Sequence, residues 1–283
     1  MLNQRIQTFY DSSSGIWEQV WGEHMHHGYY ELGESNYKDR RQAQIDLIEE
    51  LLNWSGVKNS ELPLNAQILD AGCGIGGSSL YLADKFPSSQ VTGITLSPVQ
   101  ANRARARATE FGLDSRTEFQ VADALSMPFE SDRFDLIWSL ESGEHMPDKS
   151  KFLAECLRVL KPNGKLIFAT WCHRETALKP LSINEKQHLQ RIYDVYCLPF
   201  VISLSEYKAI AQNLQFQNIH TVDWSEQVAP FWDRVIESAF SLENIWGVIQ
   251  AGLPTIIATT SLRLMSRGYN RGLVKFGVLT AQK

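Results

Sequence analysis

The sequence has no excess of positive charge and no continuous apolar run long enough to cross a membrane. It contains 27 Lys and Arg against 32 Asp and Glu, a net charge of −5. A protein whose main partner is nucleic acid needs a basic excess to neutralise phosphates, so that class is excluded. The longest uncharged run, 244–262, contains Asn, Gln, Thr and Ser side chains and a proline, so it is not the continuous apolar stretch of roughly 18–20 residues that a membrane-spanning helix needs. The first residues, MLNQRIQTFYDSSSG, lack the basic and apolar regions of a secretory signal.

Cysteine, glycine and proline are also too few or too scattered to define a special class. The four cysteines (Cys73, Cys156, Cys172 and Cys197) lie far apart without a C-x-x-C pair. This spacing favours reduced thiols in a cytosol-like compartment over a disulfide framework or a zinc site. The 18 Gly and 10 Pro show no period, and the 43% hydrophobic content excludes disorder. The 283 residues therefore form a globular protein of one large or two small domains.

An alternation of strand and helix patterns begins at Gln67. Strands are predicted at 67–71, 90–95, 117–122, 134–140 and 165–171, with helices at 77–86, 98–112 and 149–160 between them. The alternation predicts a Rossmann-like, doubly wound, mostly parallel α/β sheet. After Trp171 the pattern becomes mostly helical over 173–215, and a helix is expected at 230–251. Two further strands, at 219–224 and 273–281, bring the sheet to seven.

A glycine cluster follows the first strand, in the run Asp70-Ala71-Gly72-Cys73-Gly74-Ile75-Gly76-Gly77. Such a turn lets a ligand approach the backbone and points helix N–H groups at it, as in dinucleotide-binding proteins. Asp70 would repel a diphosphate and attract a sulfonium or ammonium group. No acid follows about 20 residues later, where a nicotinamide site places one for the ribose; the second strand ends at Thr95 instead. A cationic ligand is therefore favoured over a nicotinamide cofactor.

At these residues the chain resembles the class I S-adenosylmethionine-dependent methyltransferases, whose first motif has the form D-x-G-C-G-x-G. The resemblance continues across about 65–171, through Gly93-Ile94-Thr95-Leu96-Ser97-Pro98, Ala122-Asp123-Ala124 and Phe134-Asp135-Leu136-Ile137. It implies S-adenosylmethionine as cofactor, with Asp123 on the adenine amino group. Thr95 departs from the acid common in the family, so ribose binding falls to main-chain groups or Gln100. The cofactor residues it implies are Asp70, Gly72, Cys73, Gly74, Gly76, Thr95, Leu96, Gln100, Asp123, Ala124 and Ser139.

The loop after the fourth strand carries the candidate general base. It reads Glu141-Ser142-Gly143-Glu144-His145 and lies at the carboxyl end of a parallel strand, the edge where open α/β sheets bind ligands. An acceptor phenol or ammonium must lose a proton, and His145 titrates near neutrality. Glu141 or Glu144 would hold its tautomer or raise its basicity. The alternative is a polar loop in which both glutamates cap backbone groups and His145 is merely exposed.

The aromatic N-terminal stretch, residues 1–37, is predicted to be a lid over cofactor and acceptor, lined by Tyr10, Trp17, Trp21 and Tyr29. Packing of an extension onto the domain is a compatible alternative. Residues 38–283 would form the methyltransferase domain, with the cofactor core at about 65–171 and an acceptor cap at about 173–260. The histidines at 24, 26 and 27 suggest a metal, but methyl transfer needs none and none is predicted.

Over most of its length the chain resembles the tocopherol C-methyltransferases. The segments that carry this resemblance are W-x-x-V-W-G-E-H-M-H-H-G-Y-Y, D-A-G-C-G-I-G-G-S-S, G-I-T-L-S-P and E-S-G-E-H-M-P-D-K. It implies methylation of the chromanol ring of γ- or δ-tocopherol, ortho to the phenol, with His145 and Glu144 drawing off the phenol proton. Without a transit peptide, a cyanobacterial version is expected.

Other acceptors and partners stay open at this stage. Plant alkaloid N-methyltransferases share the same segments, so an indole or alkaloid-like amine is the alternative acceptor, and a nicotinamide oxidoreductase is the alternative outside methyl transfer. The helix at 98–111 carries Arg103, Arg105 and Arg107. A solvated face is the default interpretation of these arginines, and attraction of a cytoplasmic protein to a membrane surface is the alternative. The oligomeric state is left open.

Overall fold

A computed structural model of the protein describes residues 2–31, 33, 38–57, 62–239 and 253–283. Seven strands form one sheet: β1 Gln67–Ala71, β2 Gln90–Thr95, β3 Thr117–Val121, β4 Phe134–Leu140, β5 Leu160–His173, β6 Gln217–Asp223 and β7 Val274–Gln282. Their order is β3-β2-β1-β4-β5-β7-β6. Strands β1 to β5 pair in parallel, and β7 runs antiparallel to β5 and β6. The prediction of a seven-stranded, mostly parallel sheet is confirmed.

Ten helices of the described residues surround the sheet. They are α1 Leu2–Trp21, α2 Arg40–Ser55, α3 Gly77–Lys85, α4 Pro98–Glu110, α5 Lys149–Val159, α6 Ile183–Tyr196, α7 Leu204–Asn213, α8 Ser225–Val228, α9 Pro230–Ala239 and α10 Leu253–Asn270. Of the helix predicted at 230–251, the part from 240 onward lies outside the described residues. None of the described helices is both long and apolar enough to cross a bilayer.

The fifth strand is longer than its pattern predicted, because the turn sequence before it is absorbed as an irregularity. Leu160 pairs with Phe134, and pairing resumes between Lys165 and Leu136 after a register shift. The residues between bulge out of the ladder, where Asn163 takes a positive φ of 64°. The Lys161–Gly164 turn therefore ends α5, as expected, but lies within the strand.

Helix starts follow the local chemistry of the sequence. Ser97 caps α4 by accepting a hydrogen bond from the Gln100 N–H, with Pro98 at the first helical position. Gly76 precedes α3 with a left-handed φ of 83°. These turns fix the carboxyl ends of β1 and β2 beside the starts of α3 and α4. Because β1 lies between β2 and β4, the sheet reverses its strand order there, which is where open α/β sheets bind ligands.

Much of the segment from Gly22 to Tyr30 is buried against the rest of the domain. His24, His26 and His27 are buried, and the Tyr29 N–H donates to the Ala43 carbonyl of α2. A β-carbon at Gly28 would lie 2.6 Å from the Ala43 Cβ, so this backbone packs directly on the helix. This part of the predicted lid of 1–37 therefore packs onto the domain, which is the alternative that the sequence left open beside the lid. Residues 32 and 34–37 lie outside the described residues.

Candidate functional site

A deep cleft opens at the carboxyl ends of β1, β2 and β4, under helix α1. It is lined by predicted cofactor residues from three stretches of the chain, namely Asp70, Gly72, Cys73, Gly74, Thr95, Leu96, Gln100, Asp123 and Ala124. Residues of α1 cover it, among them Asn3, Ile6 and Tyr10. Nine predicted positions that are distant in sequence therefore meet on one surface, which we call the first cleft.

Two predicted cofactor residues do not line this cleft. Gly76 lies behind it, where an added β-carbon would meet the Phe119 ring at 3.0 Å. Ser139 is buried, with its hydroxyl 2.7 Å from that of Ser142, which in turn donates to the Ala71 carbonyl. Gly76 thus permits helix–sheet packing, and Ser139 braces β4 against the glycine turn. Both support the cleft from outside it.

The glycine turn forms a cradle that a side chain would fill. Gly74 has a φ of 53°, and a β-carbon there would project between Gln100 Nε2 and Met25 Sδ, 4.0 Å from each. Gly72, with a φ of 97°, lies so close to Ser142 that a β-carbon would come within 2.3 Å of it. The turn therefore presents bare backbone to a ligand, as the predicted cofactor requires.

Asp70 places a buried carboxyl group in the wall of the first cleft. The Ser79 hydroxyl donates to its Oδ2 at 2.6 Å. Burial raises the pKa of Asp70 to about 7, because the charged form loses the solvation of water, while Ser79 acts in the opposite direction. A cationic group bound beside it would favour the ionised form, so the chemistry of this wall fits a sulfonium or ammonium ligand.

Thr95 and Gln100 form a pair that replaces the acid usual at the end of β2. The Thr95 hydroxyl donates to Gln100 Oε1 at 2.7 Å and accepts from the Ser97 N–H. With Oε1 engaged, the Gln100 amide turns its Nε2 toward Gly74. A ribose hydroxyl in this cleft would therefore meet an amide donor at Gln100, which is the alternative expected from the sequence.

Asp123 carries a contact that the sequence did not predict. Its Oδ1 accepts from the Leu125 N–H at 2.9 Å, and its Oδ2 accepts from Asn3 Nδ2 of α1 at 2.7 Å. The carboxylate expected to receive an adenine amino group thus already receives an amide from α1. Helix α1 therefore contacts the mouth of the first cleft directly.

A second cleft adjoins the first and has a more aromatic lining. It is lined by Phe9, Tyr10, Met25, Glu141, Glu144, His145, Trp171 and Tyr196. Tyr10, Met25, Glu141 and His145 line both clefts and so mark the boundary between them. The described lining of the second cleft includes two carboxyl groups and no Lys or Arg. A methyl group passing from one cleft to the other would cross this boundary.

The loop after β4 is held rigidly where it enters the second cleft. Gly143–His145 forms a short 3₁₀ turn, and Glu141 before it has a φ of 52°. The buried ammonium of Lys149 donates to the carbonyls of Gly143 and Glu144, each at 2.9 Å. Burial lowers the pKa of Lys149 to about 7. These contacts fix the direction in which Glu144 and His145 point.

The two glutamates of this loop have partners other than the expected His145. Glu141 accepts hydrogen bonds from the His27 N–H, from His27 Nδ1 and from Trp171 Nε1. Glu144 accepts from the Thr170 hydroxyl at 2.6 Å. The prediction that Glu141 or Glu144 orients His145 is therefore wrong, because β5 and the N-terminal segment supply nearer donors.

His145 instead contacts the N-terminal helix. Its Nε2 lies 2.7 Å from the Tyr10 hydroxyl, and its Nδ1 has no hydrogen-bond partner among the described residues. Burial, and to a lesser extent the charge of Lys149, lowers the pKa of His145 to about 3, so the ring is neutral at physiological pH. Burial raises the pKa of Tyr10 above its ordinary value. The pair is thus a neutral hydrogen bond between α1 and the loop after β4.

Glu144 and Glu141, the two acids of the second cleft, have pKa values shifted in opposite directions. Loss of solvation, with repulsion from Glu141 as the second cause, raises the pKa of Glu144 to about 7. Burial would also raise the pKa of Glu141, but the attraction and hydrogen bonds of His27 outweigh it and the pKa lies below its ordinary value. One carboxyl group is therefore held ionised while its neighbour can exchange a proton near neutral pH.

The remaining lid residues have mixed positions. The side chains of Trp17 and Trp21 lie outside the described part of α1. Tyr29 packs against Trp224 with ring centroids 5.3 Å apart and lines neither cleft, which matches the packing alternative.

The three arginines of α4 contact other parts of the chain. Arg103 binds Glu18 of α1, Arg105 donates to the Phe119 carbonyl, and Arg107 donates to the Ile75 carbonyl.

Several site residues were not predicted from the sequence. They are Asn3, Met25, His27, Thr170, Trp171 and Tyr196. Thr170 and Trp171 end the parallel part of β5, so the rule that ligands bind at the carboxyl ends of strands would have found them. For His27, the only signal was a histidine within an aromatic stretch, which does not indicate a partner 114 positions away.

Comparisons with known proteins agree with this geometry. Residues 69–168 match the family described as a methyltransferase domain. The chloroplastic tocopherol O-methyltransferase of Arabidopsis thaliana is 45% identical over 294 residues, covering 100% of this chain and 82% of that protein. Norajmaline N-methyltransferase of Rauvolfia serpentina is 30% identical over 286 residues, covering 99% of this chain and 98% of that protein.

Among solved structures, geranyl diphosphate C-methyltransferase from Streptomyces coelicolor A3(2), in complex with Mg²⁺, geranyl diphosphate and S-adenosyl-L-homocysteine, has the same fold. Its TM-score is 0.78 at 20% identity, covering 99% of this chain and 97% of that one. The family expected from the sequence is confirmed by the full-length relatives. The chain is an S-adenosylmethionine-dependent methyltransferase and belongs to the tocopherol methyltransferase family.

Proposed function

We propose that the protein methylates a ring carbon of a tocopherol-type phenol, γ- or δ-tocopherol, with the cofactor in the first cleft and the phenol in the second. The observation that carries the proposal is the shared boundary of Tyr10, Met25, Glu141 and His145, beside which Glu144 projects into the second cleft. The family membership supplies the cofactor and the phenol class. The name of the Arabidopsis relative specifies oxygen methylation, so the position of the new methyl group is the point to test.

The charge of the second cleft favours an acceptor without a negative group at its reacting end. Glu141 and Glu144 lie in its wall, and no Lys or Arg lines it among the described residues. A phosphate or carboxylate would be repelled there at a cost that burial increases. A neutral phenol ring can instead pack against Phe9, Trp171 and Tyr196. The apolar chain of a tocopherol would extend toward the cap after β5, which the sequence predicts as the acceptor region.

The cofactor supplies an electrophilic methyl group on a sulfonium, and the chain supplies alignment and a proton acceptor. As the ring carbon bonds to the methyl group, the bond from methyl to sulfur breaks and the sulfonium becomes a neutral thioether. The phenol O–H proton weakens this attack while it remains in place, so a base is useful. Over the whole reaction one proton leaves the ring carbon, and the phenol is restored.

Glu144 is the group best suited to accept the phenol proton. Its pKa of about 7 makes the carboxylate available at neutral pH and still able to hold a proton. His145, with a pKa of about 3, would hold a transferred proton only weakly. We assign His145 the role of holding Tyr10 at the boundary, and Glu141 that of a fixed negative charge. Glu141, Glu144 and His145 therefore all remain assigned to the site, but the role of base passes from His145 to Glu144.

Helix α1 is proposed to be the lid. Asn3 contacts Asp123, Tyr10 contacts His145, and Asp11 accepts a hydrogen bond from Ser97. Together these bonds close α1 over both clefts, so entry of cofactor or acceptor requires the helix to move. The lid ends near Trp21, before the buried segment that begins at Gly22.

An amine acceptor is the second candidate, and the same cleft supplies its reason. Carboxylates beside aromatic rings attract cations, and Glu141, Glu144, Trp171 and Tyr10 provide both features. The norajmaline N-methyltransferase relative supports this alternative. A protonated amine would lose its proton to Glu144 before its nitrogen attacked the methyl group.

A transfer assay with methyl-labelled cofactor separates the two candidates. One panel contains tocopherols and related prenyl quinols, and the other contains indoles and alkaloid amines. We expect label in γ- or δ-tocopherol and at least tenfold less in any amine. Turnover of amines alone would reject the phenol assignment.

A further inference from the structure

We infer that His27 and Trp171 are positioning residues that hold Glu141 as a fixed, ionised carboxylate on the boundary between the two clefts, and that methyl transfer depends on this charge. The inference rests on the proposed assignment of the clefts to cofactor and acceptor. It does not depend on which acceptor is used. Neither His27 nor Trp171 was predicted to belong to the site.

Both oxygens of Glu141 are bound by donors from distant parts of the chain. His27 donates its backbone N–H to Oε1 at 2.6 Å, and His27 Nδ1 lies 2.8 Å from Oε2. Trp171 Nε1 donates to Oε2 at 2.9 Å. Three donors at two oxygens leave the carboxylate little freedom to rotate, so its charge stays at one place in the wall.

The backbone of Glu141 is held in a conformation that glutamate rarely adopts. Its φ is 52°, in the left-handed region, while its N–H donates to the Ala169 carbonyl at 2.8 Å. A non-glycine residue remains in this region only where its surroundings impose it, and such residues cluster at functional sites. The His27 and Trp171 hydrogen bonds supply that constraint and direct the side chain to the cleft boundary.

His27 is itself immobilised by aromatic rings. It is fully buried, and five rings have centroids between 5.0 and 5.9 Å from its own, those of Trp171, Phe231, Trp232, Tyr269 and Phe276. These rings come from β5, β7, α9 and α10. The position of the His27 ring, which donates to Glu141, is therefore determined by packing in the core. It does not depend on the position of α1.

The arrangement is better explained by the reaction than by stability. A buried carboxylate loses the solvation of water, and its hydrogen bonds offset much of that cost without adding a large net stability. Glu141 nevertheless lines both clefts and so faces the place where the methyl group crosses. The transferred group carries positive charge, which a fixed carboxylate favours more strongly inside a buried wall than in water.

The test compares four variants with the wild-type full chain. His27→Asn keeps a side-chain donor near the Nδ1 position, and His27→Leu removes it. Glu141→Gln removes the charge, and the fourth variant combines His27→Leu with Glu141→Gln. The readouts are the single-turnover rate of methyl transfer to an acceptor that the wild type methylates, the Kd of S-adenosylhomocysteine by calorimetry, and the thermal unfolding midpoint.

We expect His27→Leu and Glu141→Gln each to lower the single-turnover rate at least 100-fold while the Kd of S-adenosylhomocysteine changes less than threefold. The double variant should be no slower than the slower single variant, because both changes remove one function. His27→Asn should stay within tenfold of the wild type. The inference would be overturned if the double variant lost the product of the two single-variant factors in rate. It would also be overturned if His27→Leu reacted at nearly the wild-type rate.

Trp171→Phe is a second test, which can be used even if His27→Leu does not fold. It keeps an aromatic ring at this position and removes the Nε1 donor to Glu141. Loss of a donor should raise the pKa of the buried Glu141, so the rate should begin to fall at a higher pH than in the wild type. The other titratable groups that interact electrostatically with Glu141 are His26, Glu144, Tyr10 and Tyr269. An unchanged pH profile in Trp171→Phe would contradict the inference. If the wild type methylates only amines, the proposed function fails and this comparison can still be made.

Discussion

At the scale of single residues, burial decides where a proton can rest in this site. His145 has a pKa of about 3 and Glu144 one of about 7, although the sequence places an ordinary histidine and glutamate side by side. The difference follows from their surroundings, since burial disfavours the cation of one and the anion of the other. Spacing in the sequence could therefore predict the loop but not which member of it serves as base.

The pH dependence of methyl transfer should report Glu144. Because the carboxylate is the active form, the rate should rise as pH increases through about 7 and then level off. Glu144→Gln should lower the rate about 100-fold or more, which is within the usual range for loss of a general base. It should also remove the rise of the rate with pH. The measurement is a single-turnover pH profile of both proteins. A limb near pH 6.5 that disappears in His145→Ala would return the role to His145.

Asp70 should make cofactor binding depend on pH. Its pKa of about 7 means that at lower pH the free protein must release a proton before it attracts a cationic ligand. The affinity for S-adenosylmethionine should therefore fall as pH decreases from 8 to 6. Asp70→Asn should weaken binding by about 10–150-fold, from the roughly 1.5–3 kcal/mol of a hydrogen bond to a charged group. Calorimetry at several pH values measures both, and an unchanged slope in the variant would contradict this role.

At the scale of elements, we propose that the boundary between lid and core falls between α1 and the segment that follows it. The aromatic composition of residues 1–37 suggested one unit, because aromatic residues suit a lid and a packed core equally well. Both parts line the clefts, α1 through Tyr10 and the following segment through Met25, but His27 and Gly28 of that segment also pack tightly into the core.

Two glycine substitutions distinguish these parts. Gly28→Ala should destabilise the protein by about 1–3 kcal/mol, because the new methyl group would overlap Ala43. Gly15→Ala in α1 is the matched control, since nothing lies within 4 Å of its β-carbon position. It should leave stability unchanged or raise it by up to about 1 kcal/mol. Chemical denaturation measures both, and equal effects would contradict the boundary at Gly22.

Tyr10→Phe tests the closure of α1. Loss of the hydroxyl removes its hydrogen bond to His145, worth about 0.5–1.5 kcal/mol, so closure should weaken about 2–13-fold. Amide hydrogen exchange in α1 with S-adenosylhomocysteine bound should speed up by a similar factor. The unfolding midpoint should stay within 1–2 °C because the core is untouched. Exchange equal to that of the wild type would show that this bond does not hold the lid.

At the scale of the whole molecule, the sheet brings distant residues to one edge. The core from β1 to β5 was predictable because most of its strands are buried apolar runs, and because helices with clear start signals, such as Ser97 before Pro98, follow β1, β2 and β4. The region after β5 has amphipathic helices whose partners the sequence does not specify. His27 and Glu141 show the same limit, since only the folded core brings them together.

The position of the transferred methyl group tests the central claim most directly. The protein is incubated with ¹³C-methyl-labelled S-adenosylmethionine and γ-tocopherol, and the product is examined by NMR. We expect the label on the ring carbon next to the phenol, with the hydroxyl intact. Label on the phenol oxygen, or label found only in amine acceptors, would contradict the proposed reaction.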